Sequence, residues 1–200
     1  METFTFLFTD IEGSTALLQR LGEGLYVQLL ADHHALIRSG LAAHDGKEVD
    51  TQGDAFFAVF SSSRACMAAV TQMQQALAAH AWPAGEHVRV RMGVHTGEAE
   101  KTAAGLVGLD VHRAARVAAV GYGGQVLVSG TAAALVRDAL PPGAALAGSG
   151  CAPAEGPGTP GTGLPAPGGG PAGRVPAAAL AGQPGAGEQS PGPAGGVHRP

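Results

Sequence analysis

The sequence predicts an α+β domain, a ferredoxin-like βαββαβ sheet with its helices on one face. Three observations indicate this fold. Apolar patterns follow the order strand, helix, hairpin, helix, strand, helix, strand, helix. Two strands stand between the first two helices, which disfavours a Rossmann fold with its single alternating strands. The stretch "HVRVRMGVHTGEAE" alternates cleanly, with Val88, Val90, Met92 and Val94 on one side of a predicted strand.

The first half of the chain contains a strand, a long helix and a hairpin. Phe4–Phe8 reads as a buried strand, and Ser14 or Thr15 is a suitable N-cap for the helix that follows. Turn residues at Asp45-Gly46 and Gln52-Gly53 bound a short strand near Glu48–Thr51. The apolar run "AFFAVF" completes the hairpin.

The second half contains three further helices around two strands. An Ala-rich helix follows the serine cluster "SSSR", and a short helix covers "GLDVHRAARVAAVG". The run "GQVLVS" predicts the last strand, and "GTAAALVRDAL" predicts a helix that Pro141-Pro142 ends.

Composition divides the chain at about residue 148. Of the last 52 residues, 15 are Gly and 11 are Pro, with no apolar periodicity. Such a segment buries too little apolar surface to offset its loss of conformational entropy. We therefore expect a folded domain over residues 1–148 and a disordered Gly/Pro/Ala-rich tail over residues 149–200.

Charge and cysteine content exclude several classes of protein. The formal net charge is −4 and the chain has only two lysines, so no basic surface for nucleic acid is expected. Two cysteines make neither a disulfide framework nor a zinc pattern, which is typical of the cytoplasm. The N-terminus lacks the pattern of a signal peptide and no apolar run is long enough to span a membrane. We therefore expect a cytoplasmic protein without a membrane partner.

Two carboxylates are candidates for a metal site. Asp10 and Asp54 each lie at the edge of a strand-like apolar run, and the hairpin would bring both to one edge of the sheet. Two close carboxylates repel each other unless a cation lies between them, and ligands that are all oxygen favour Mg²⁺ or Mn²⁺. The alternative is structural: Asp10 caps the next helix and Asp54 belongs to an ordinary hairpin turn.

Two other stretches are candidates for phosphate binding. Gly13, Ser14 and Thr15 form a turn of small residues where a helix begins, which offers backbone N–H groups to phosphate. In "HRAAR", Arg113 and Arg116 lie one helical turn apart, and a guanidinium can stabilise a transferring phosphoryl group. Two solvated arginines on an exposed helix face are the alternative.

Four blocks in this order resemble the class III adenylate/guanylate cyclase catalytic domain of the bacterial, soluble type: "FTDIEGST", "DTQGDAFFAVF", "RVRMGVHTGE" and "GLDVHRAARVAAVGYGGQVLVS". The resemblance implies a homodimer that converts ATP or GTP to a 3′,5′-cyclic nucleotide at its subunit interface.

The same resemblance implies roles for individual residues. Asp10, Asp54 and the Ile11 carbonyl would hold two Mg²⁺ or Mn²⁺ ions in each active site. The loop Glu12–Thr15, with Gly13 and Ser14, would touch the triphosphate. Arg116 of the partner subunit would stabilise the transition state.

Three positions that would face the substrate depart from the family's pattern. Asp50 stands where adenylyl members have a base-selecting lysine, and His112 stands where an asparagine orients the ribose. The residue that would bind the adenine amino group aligns with Gly105, or less well with Asp110. An ionised Asp50 accepts hydrogen bonds and so favours guanine.

These departures leave two functions open: a cyclase with weak activity or relaxed base selection, or a degenerate domain that binds nucleotide or dimerises as a regulatory module. The resemblance also ends near residues 138–140, before strands that the family usually adds. A sheet without those strands would have an exposed edge.

Overall fold

A computed structural model of the chain describes residues 1–103, 105–148 and 173–175. Its helices are α1 (Ser14–Ala43), α2 (Ser63–Ala79), α3 (Leu109–Ala119) and α4 (Gly130–Val136), with a 3₁₀ turn at Pro83–Gly85. Its strands are β1 (Glu2–Ile11), β2 (Lys47–Gln52), β3 (Ala55–Phe60), β4 (Val90–Thr102), β5 (Gly105–Val107), β6 (Val126–Val128), β7 (Ala147–Gly148) and β8 (Gly173–Val175).

The strands form one sheet in the order β2-β3-β1-β4-β6-β8-β7, with β5 paired to β4. All neighbours run antiparallel except β4 and β6, which are parallel because α3 connects them. The predicted α+β fold with its βαββαβ order is confirmed.

The core lies on both faces of the sheet. On one face, α1, α2 and α4 cover β1, β3, β4 and β6 through residues such as Leu7, Phe56 and Met92, each at most 1% exposed. The other face carries a smaller cluster of Phe4, Phe6 and Val59, with Ala114 of α3.

The expectation that all helices share one face is therefore wrong for α3. Gly93 of β4 points toward this helix, and a Cβ built there would lie 2.4 Å from the Ala118 backbone nitrogen. A residue without a side chain lets the α3 backbone approach β4 closely. Alternation in β4 predicts which side Gly93 faces, but not that a helix covers that side.

The start of α1 also differs from the prediction. Its N-cap is Gly13 in the left-handed conformation, with φ 68°, and no side chain caps the helix. Ser14 is instead the first residue of α1, so neither Ser14 nor Thr15 is the N-cap. The helix is interrupted at Gly22, whose φ of 73° and ψ of 167° are not helical.

A sheet without further C-terminal strands would have an exposed edge, but the outer edge of β6 is paired with β8, and β8 is paired with β7. An unpaired strand edge presents backbone N–H and C=O groups that another segment can bind. Gly173–Val175 thus forms a strand inside the stretch predicted to be disordered. The rest of the predicted tail, residues 149–172 and 176–200, lies outside the described residues, and the domain boundary at 148 stays a prediction.

No helix within residues 1–103 and 105–148 has the length and hydropathy to cross a membrane.

Candidate functional site

The two predicted carboxylates meet where β1 ends. Asp10 is the last but one residue of β1, and Asp54 lies in the turn between β2 and β3. The Ile11 backbone N–H donates to Asp54 Oδ2 at 2.9 Å, which fixes this turn against β1. The turn between β2 and β3 thus packs against the end of β1, which brings the two acids together as the predicted hairpin required.

Asp10 and Asp54 lie close enough to interact directly. Partial burial of Asp54, and then its contact with the Asp10 carboxyl group, raise the pKa of Asp54 above its usual range. Because α1 has no side-chain cap, the interpretation of Asp10 as a helix cap is wrong. Asp54 does belong to a hairpin turn, but it also accepts the hydrogen bond from β1.

Arg91 binds Asp10 from the neighbouring strand. Asp10 and Arg91 are paired across β1 and β4, so their side chains emerge on the same face. Both Nε and Nη2 of Arg91 donate to Asp10 Oδ2, the former at 2.9 Å. Sequence reasoning missed Arg91. Its alternation in "RVRMG" indicated the face, but the strand register that joins it to Asp10 depends on tertiary structure.

The side chain of Ile11 is 1% exposed and packs in the core, which leaves only its backbone carbonyl as a candidate ligand.

The loop before α1 is held by contacts with the loop before β6. Glu12 Oε1 accepts a hydrogen bond from the Gly123 N–H at 2.9 Å, and Arg89 Nε lies 3.8 Å from Glu12 Oε2. Gly13 then turns the chain into α1 through its left-handed conformation. The first-turn N–H groups of α1 have no side-chain cap and remain available to an anion.

Tyr26 of α1 extends the polar surroundings of the acidic pair. Partial burial, together with the nearby charges of Asp54 and Asp10, raises the pKa of Tyr26. Nothing in the apolar spacing of α1 indicated that Tyr26 lies near the acidic pair, because this proximity depends on tertiary structure.

Asp50 lies on the same face of the sheet as Asp10. It is paired with Phe57, whose ring stacks on Phe8 at a centroid distance of 4.4 Å. The Asp50 carboxylate is exposed and accepts hydrogen bonds at 2.9 Å from the Thr51 N–H and from Gln52 Nε2. It therefore reaches the surface beside an aromatic pair that is only partly buried.

Asp110 is not available to bind a base, because its carboxylate holds the start of α3. It accepts from the Glu98 N–H at 2.8 Å and from Arg113 Nη1 at 2.6 Å, and lies 3.3 Å from His95 Nε2. Burial opposes ionisation, but these bonds outweigh it and hold the pKa of Asp110 below its usual range. Gly105, the other candidate, is the first residue of the short strand β5.

His112 and Arg116 lie on the outer side of α3. Ala114 and Ala118 pack this helix against the sheet, which leaves both residues exposed. Along the same stripe of α3 and the residue after it, Leu109 is 76% exposed and Val120 is 65% exposed. Among the described contacts, none joins Arg116 or His112 to the acidic pair.

The sequence model of the adenylate and guanylate cyclase catalytic domain matches residues 1–143. The chain belongs to this family. Four quoted blocks suggested this membership, and the family match covers all of them.

A sequence relative covers most of the chain. An uncharacterised protein of Mycobacterium tuberculosis is 30% identical over 141 residues, 70% of this chain and 47% of the relative. The chain thus spans about half the length of that relative.

Two solved structures share the fold. Trypanosoma brucei adenylate cyclases, solved in their monomeric state, superpose with a TM-score of 0.66 at 24% identity, over 88% of this chain and 89% of theirs. The guanylate cyclase domain from Catenaria anguillulae, solved with GTP, gives 0.62 at 18% identity, over 68% and 83%.

Proposed function

We propose that this cyclase domain converts ATP or GTP to a 3′,5′-cyclic nucleotide and pyrophosphate. The observation that carries the proposal is the pair Asp10 and Asp54, held together beside the uncapped start of α1. A carboxylate pair suits divalent cations and a helix N-terminus suits phosphate, so the two together suit a metal-bound triphosphate.

The acidic pair fits Mg²⁺ or Mn²⁺. Asp10, Asp54 and the Ile11 carbonyl supply only oxygen ligands, which these cations prefer. Among residues 1–103 and 105–148, no cluster of three or more His, Cys, Asp or Glu side chains could hold a metal. The remaining ligands would have to be water and phosphate oxygens. When bound, two ions would activate the ribose 3′-hydroxyl and neutralise charge on the leaving pyrophosphate.

The chain's own groups would bind and orient the nucleotide. N–H groups of Gly13, Ser14 and Thr15 would bind phosphate oxygens at the start of α1. Glu12 would position this loop through its bond to Gly123, because a carboxylate repels phosphate. His112 lies on the same exposed side of α3 as Arg116, so in a dimer the partner subunit's His112 would donate a hydrogen bond to the ribose.

We propose that the active form is a homodimer whose sites lie between subunits. Arg116 is exposed and has no described contact with the acidic pair of its own chain, and the exposed Leu109 and Val120 flank it. The half-buried rings of Phe8 and Phe57 lie next to Asp10, on the face of the sheet that α3 partly covers. A partner's α3 packed over these rings would bring its Arg116 to the phosphates, where a guanidinium stabilises developing charge.

Base selection would depend on Asp50. Its ionised carboxylate accepts from the N1–H and 2-amino groups of guanine and offers adenine N1 no donor. We therefore expect the domain to prefer GTP or to select only weakly between the two bases. We also expect slow turnover, because His112 and Gly105 replace the family's usual contacts. Since ATP and GTP are the proposed substrates, we expect the protein to act in the cytoplasm.

A degenerate regulatory module is the second candidate. The observation that favours it is the combination of Asp50, Gly105 and His112 at three positions expected to face substrate. Such a domain would bind nucleotide or dimerise without releasing product.

The full chain incubated with ATP or GTP, in Mn²⁺ or Mg²⁺, tests the proposal through cyclic nucleotide formation. We expect product with at least one nucleotide and none from Asp10→Ala. If a folded dimer binds nucleotide but releases no product in either metal, the regulatory module is the correct function.

A further inference from the structure

His95 and Asp110 form a polar junction between β4, α3 and α4, and the proposed reaction uses neither of them. His95 lies on β4 and is 6% exposed. Its Nε2 lies 3.3 Å from Asp110 Oδ1 at the start of α3. Its Nδ1 lies 2.8 Å from the hydroxyl of Ser129, which caps α4, and 3.3 Å from Thr131 Oγ1. One imidazole thus joins the starts of two helices to the sheet.

β4 holds the Asp110 carboxylate through two donors. Asp110 is ionised at neutral pH, because its pKa lies below the usual range. A carboxylate only accepts hydrogen bonds, so His95 Nε2 carries a hydrogen and donates it to Asp110. Asp110 Oδ2 accepts from the Glu98 N–H at 2.8 Å. Gly97 leaves room for this contact, since a Cβ at that position would collide with the Asp110 carboxylate.

Apolar packing contributes little to the hold on α3. The buried residues of this helix are Ala114 and Ala118, whose side chains bury little apolar area, with Val111 partly buried beside them. Gly108, the N-cap, has no side chain to bind the first turn. The bonds to Asp110 therefore fix the start of α3, where the helix dipole also favours a negative charge.

We propose that Asp110, held by His95, is a positioning residue for the cyclase reaction, which sets the direction of α3 so that Arg116 and His112 reach the nucleotide bound to the partner subunit. This inference rests on the proposed function, because it assumes that Arg116 acts across the dimer. Arg116 lies six residues after Asp110, so a tilt of ~6° about the start of α3 moves it by ~1 Å. A misplacement of ~1 Å can cost ~100-fold in rate.

Mixing experiments with full chains show which surface of the site Asp110 serves. We expect Asp110→Ala to lower kcat by about 100-fold in the cyclic nucleotide assay with Mn²⁺. Mixed with Asp10→Ala, it supplies the acidic pair while the other chain supplies an intact α3, so activity should return to about a quarter of the wild type. Mixed with Arg116→Ala, it should stay inactive, because every site then receives a defective α3.

Hydrogen exchange measures the hold on α3 without turnover. Backbone amides of residues 109–119 should exchange faster in Asp110→Ala than in the wild type, because the start of the helix is released. The matched control is Asp32→Ala, since Asp32 also lies 3.3 Å from a histidine, His80, outside the site. It should keep the wild-type kcat and the wild-type exchange in α3.

The outcomes separate this inference from the proposed function. Wild-type protein without product, or Asp10→Ala and Arg116→Ala chains that do not restore each other, would contradict the proposed shared site and this inference with it. If those two chains restore each other, the role of Asp110 alone is overturned by a fully active Asp110→Ala, by wild-type exchange in its α3, or by restoration with Arg116→Ala. A folded Asp110→Ala that Asp10→Ala does not restore would overturn it as well.

Asp110→Asn keeps the inference testable if thermal unfolding shows that Asp110→Ala is not folded. Asparagine has nearly the same shape but only one acceptor oxygen, so it satisfies one of the two donors of β4. We expect a smaller loss of kcat than for Asp110→Ala and restoration by Asp10→Ala alone. Full activity, or restoration by Arg116→Ala, would contradict the positioning role.

Discussion

At the scale of single residues, His33 is the most strongly constrained ionisable group beneath the acidic pair. It is 0% exposed on α1, and neither ring nitrogen has a hydrogen-bond partner within the described part of the chain. Burial, and then the nearby His34, lower the pKa of His33 to about 4. The ring packs edge-on against Phe56 instead, at a centroid distance of 5.7 Å.

We predict that His33 makes the domain sensitive to acid. Because its folded pKa is about 4 against an ordinary 6.5, the unfolded chain takes up this proton first as the pH falls. The loss of unfolding free energy that His33 causes is absent above about pH 6.5 and reaches at most ~3 kcal/mol near pH 4. Thermal or urea unfolding of His33→Leu across pH 4–7 should show a shallower loss of stability than the wild type.

The exposed His87 provides the control for this prediction. His87→Gln removes an exposed imidazole outside the core and should keep the wild-type pH dependence of unfolding. An identical pH dependence in His33→Leu and the wild type would mean that His33 is not a buried neutral group.

Asp50 permits a second prediction at the residue scale. Asp50→Lys restores the residue that adenylyl members of the family carry, and it should shift the ratio of kcat/KM for ATP over GTP upward by about 10-fold or more, because a gained and a lost hydrogen bond both discriminate. Product assays with each nucleotide measure this ratio. Glu23→Lys, an exposed acid on α1, makes the same change of charge and should leave the ratio as it was.

If Asp50→Lys leaves the ratio of kcat/KM for ATP over GTP unchanged, Asp50 does not contact the base.

At the scale of elements, the close approach of α3 to β4 depends on Gly93. A Cβ at this position would meet the backbone nitrogen of Ala118 at 2.4 Å, so the helix has to move. Gly93→Ala should lower the free energy of unfolding by about 1–3 kcal/mol, as overpacking typically does. It should also reduce cyclase activity, because the displaced helix carries His112 and Arg116.

Denaturant unfolding and the product assay measure the two effects together. The control is Gly24→Ala in α1, where a Cβ meets no atom within 4 Å and alanine favours the helix. Unchanged stability in Gly93→Ala would show that α3 does not lie as close to β4 as described.

Local pattern predicted those elements whose apolar spacing is strong. The alternation of Val90, Met92 and Val94 predicted which face of β4 points into the core, and all three are at most 1% exposed. It could not predict β5 or β8, which are three-residue strands that exist only because a neighbouring edge pairs with them. The N-cap of α1 was mispredicted because Ser14 suited a cap by residue type, whereas the chain turns at Gly13.

The residues of the candidate site were likewise only partly predictable from the sequence. Asp10 and Asp54 could be found from sequence because each lies at or next to the end of a strand, and a hairpin brings its turn next to a neighbouring strand. Arg91 and Tyr26 could not, because the strand register and the crossing of α1 over the sheet decide which side chains meet.

At the scale of the whole molecule, the residues of the proposed site lie on two separate surfaces of the described chain. Asp10 and Asp54 lie where β1 ends, and Arg116 projects from the outer side of α3 among exposed apolar residues. A two-fold symmetric dimer would use both surfaces twice, because the same surfaces meet in each interface. We expect catalysis to require this pairing of the two surfaces.

Complementation between two inactive variants shows whether catalysis requires the dimer. Asp10→Ala and Arg116→Ala full chains, each assayed alone, should release almost no cyclic nucleotide, since loss of a group that stabilises the transition state typically costs ~10²–10³ in kcat. After mixing and subunit exchange, each mixed dimer would contain one complete site, and activity should return to about a quarter of the wild type. A mixture that stays inactive although exchange is shown by differently labelled chains, or an Arg116→Ala variant as active as the wild type, would contradict an active site shared between subunits.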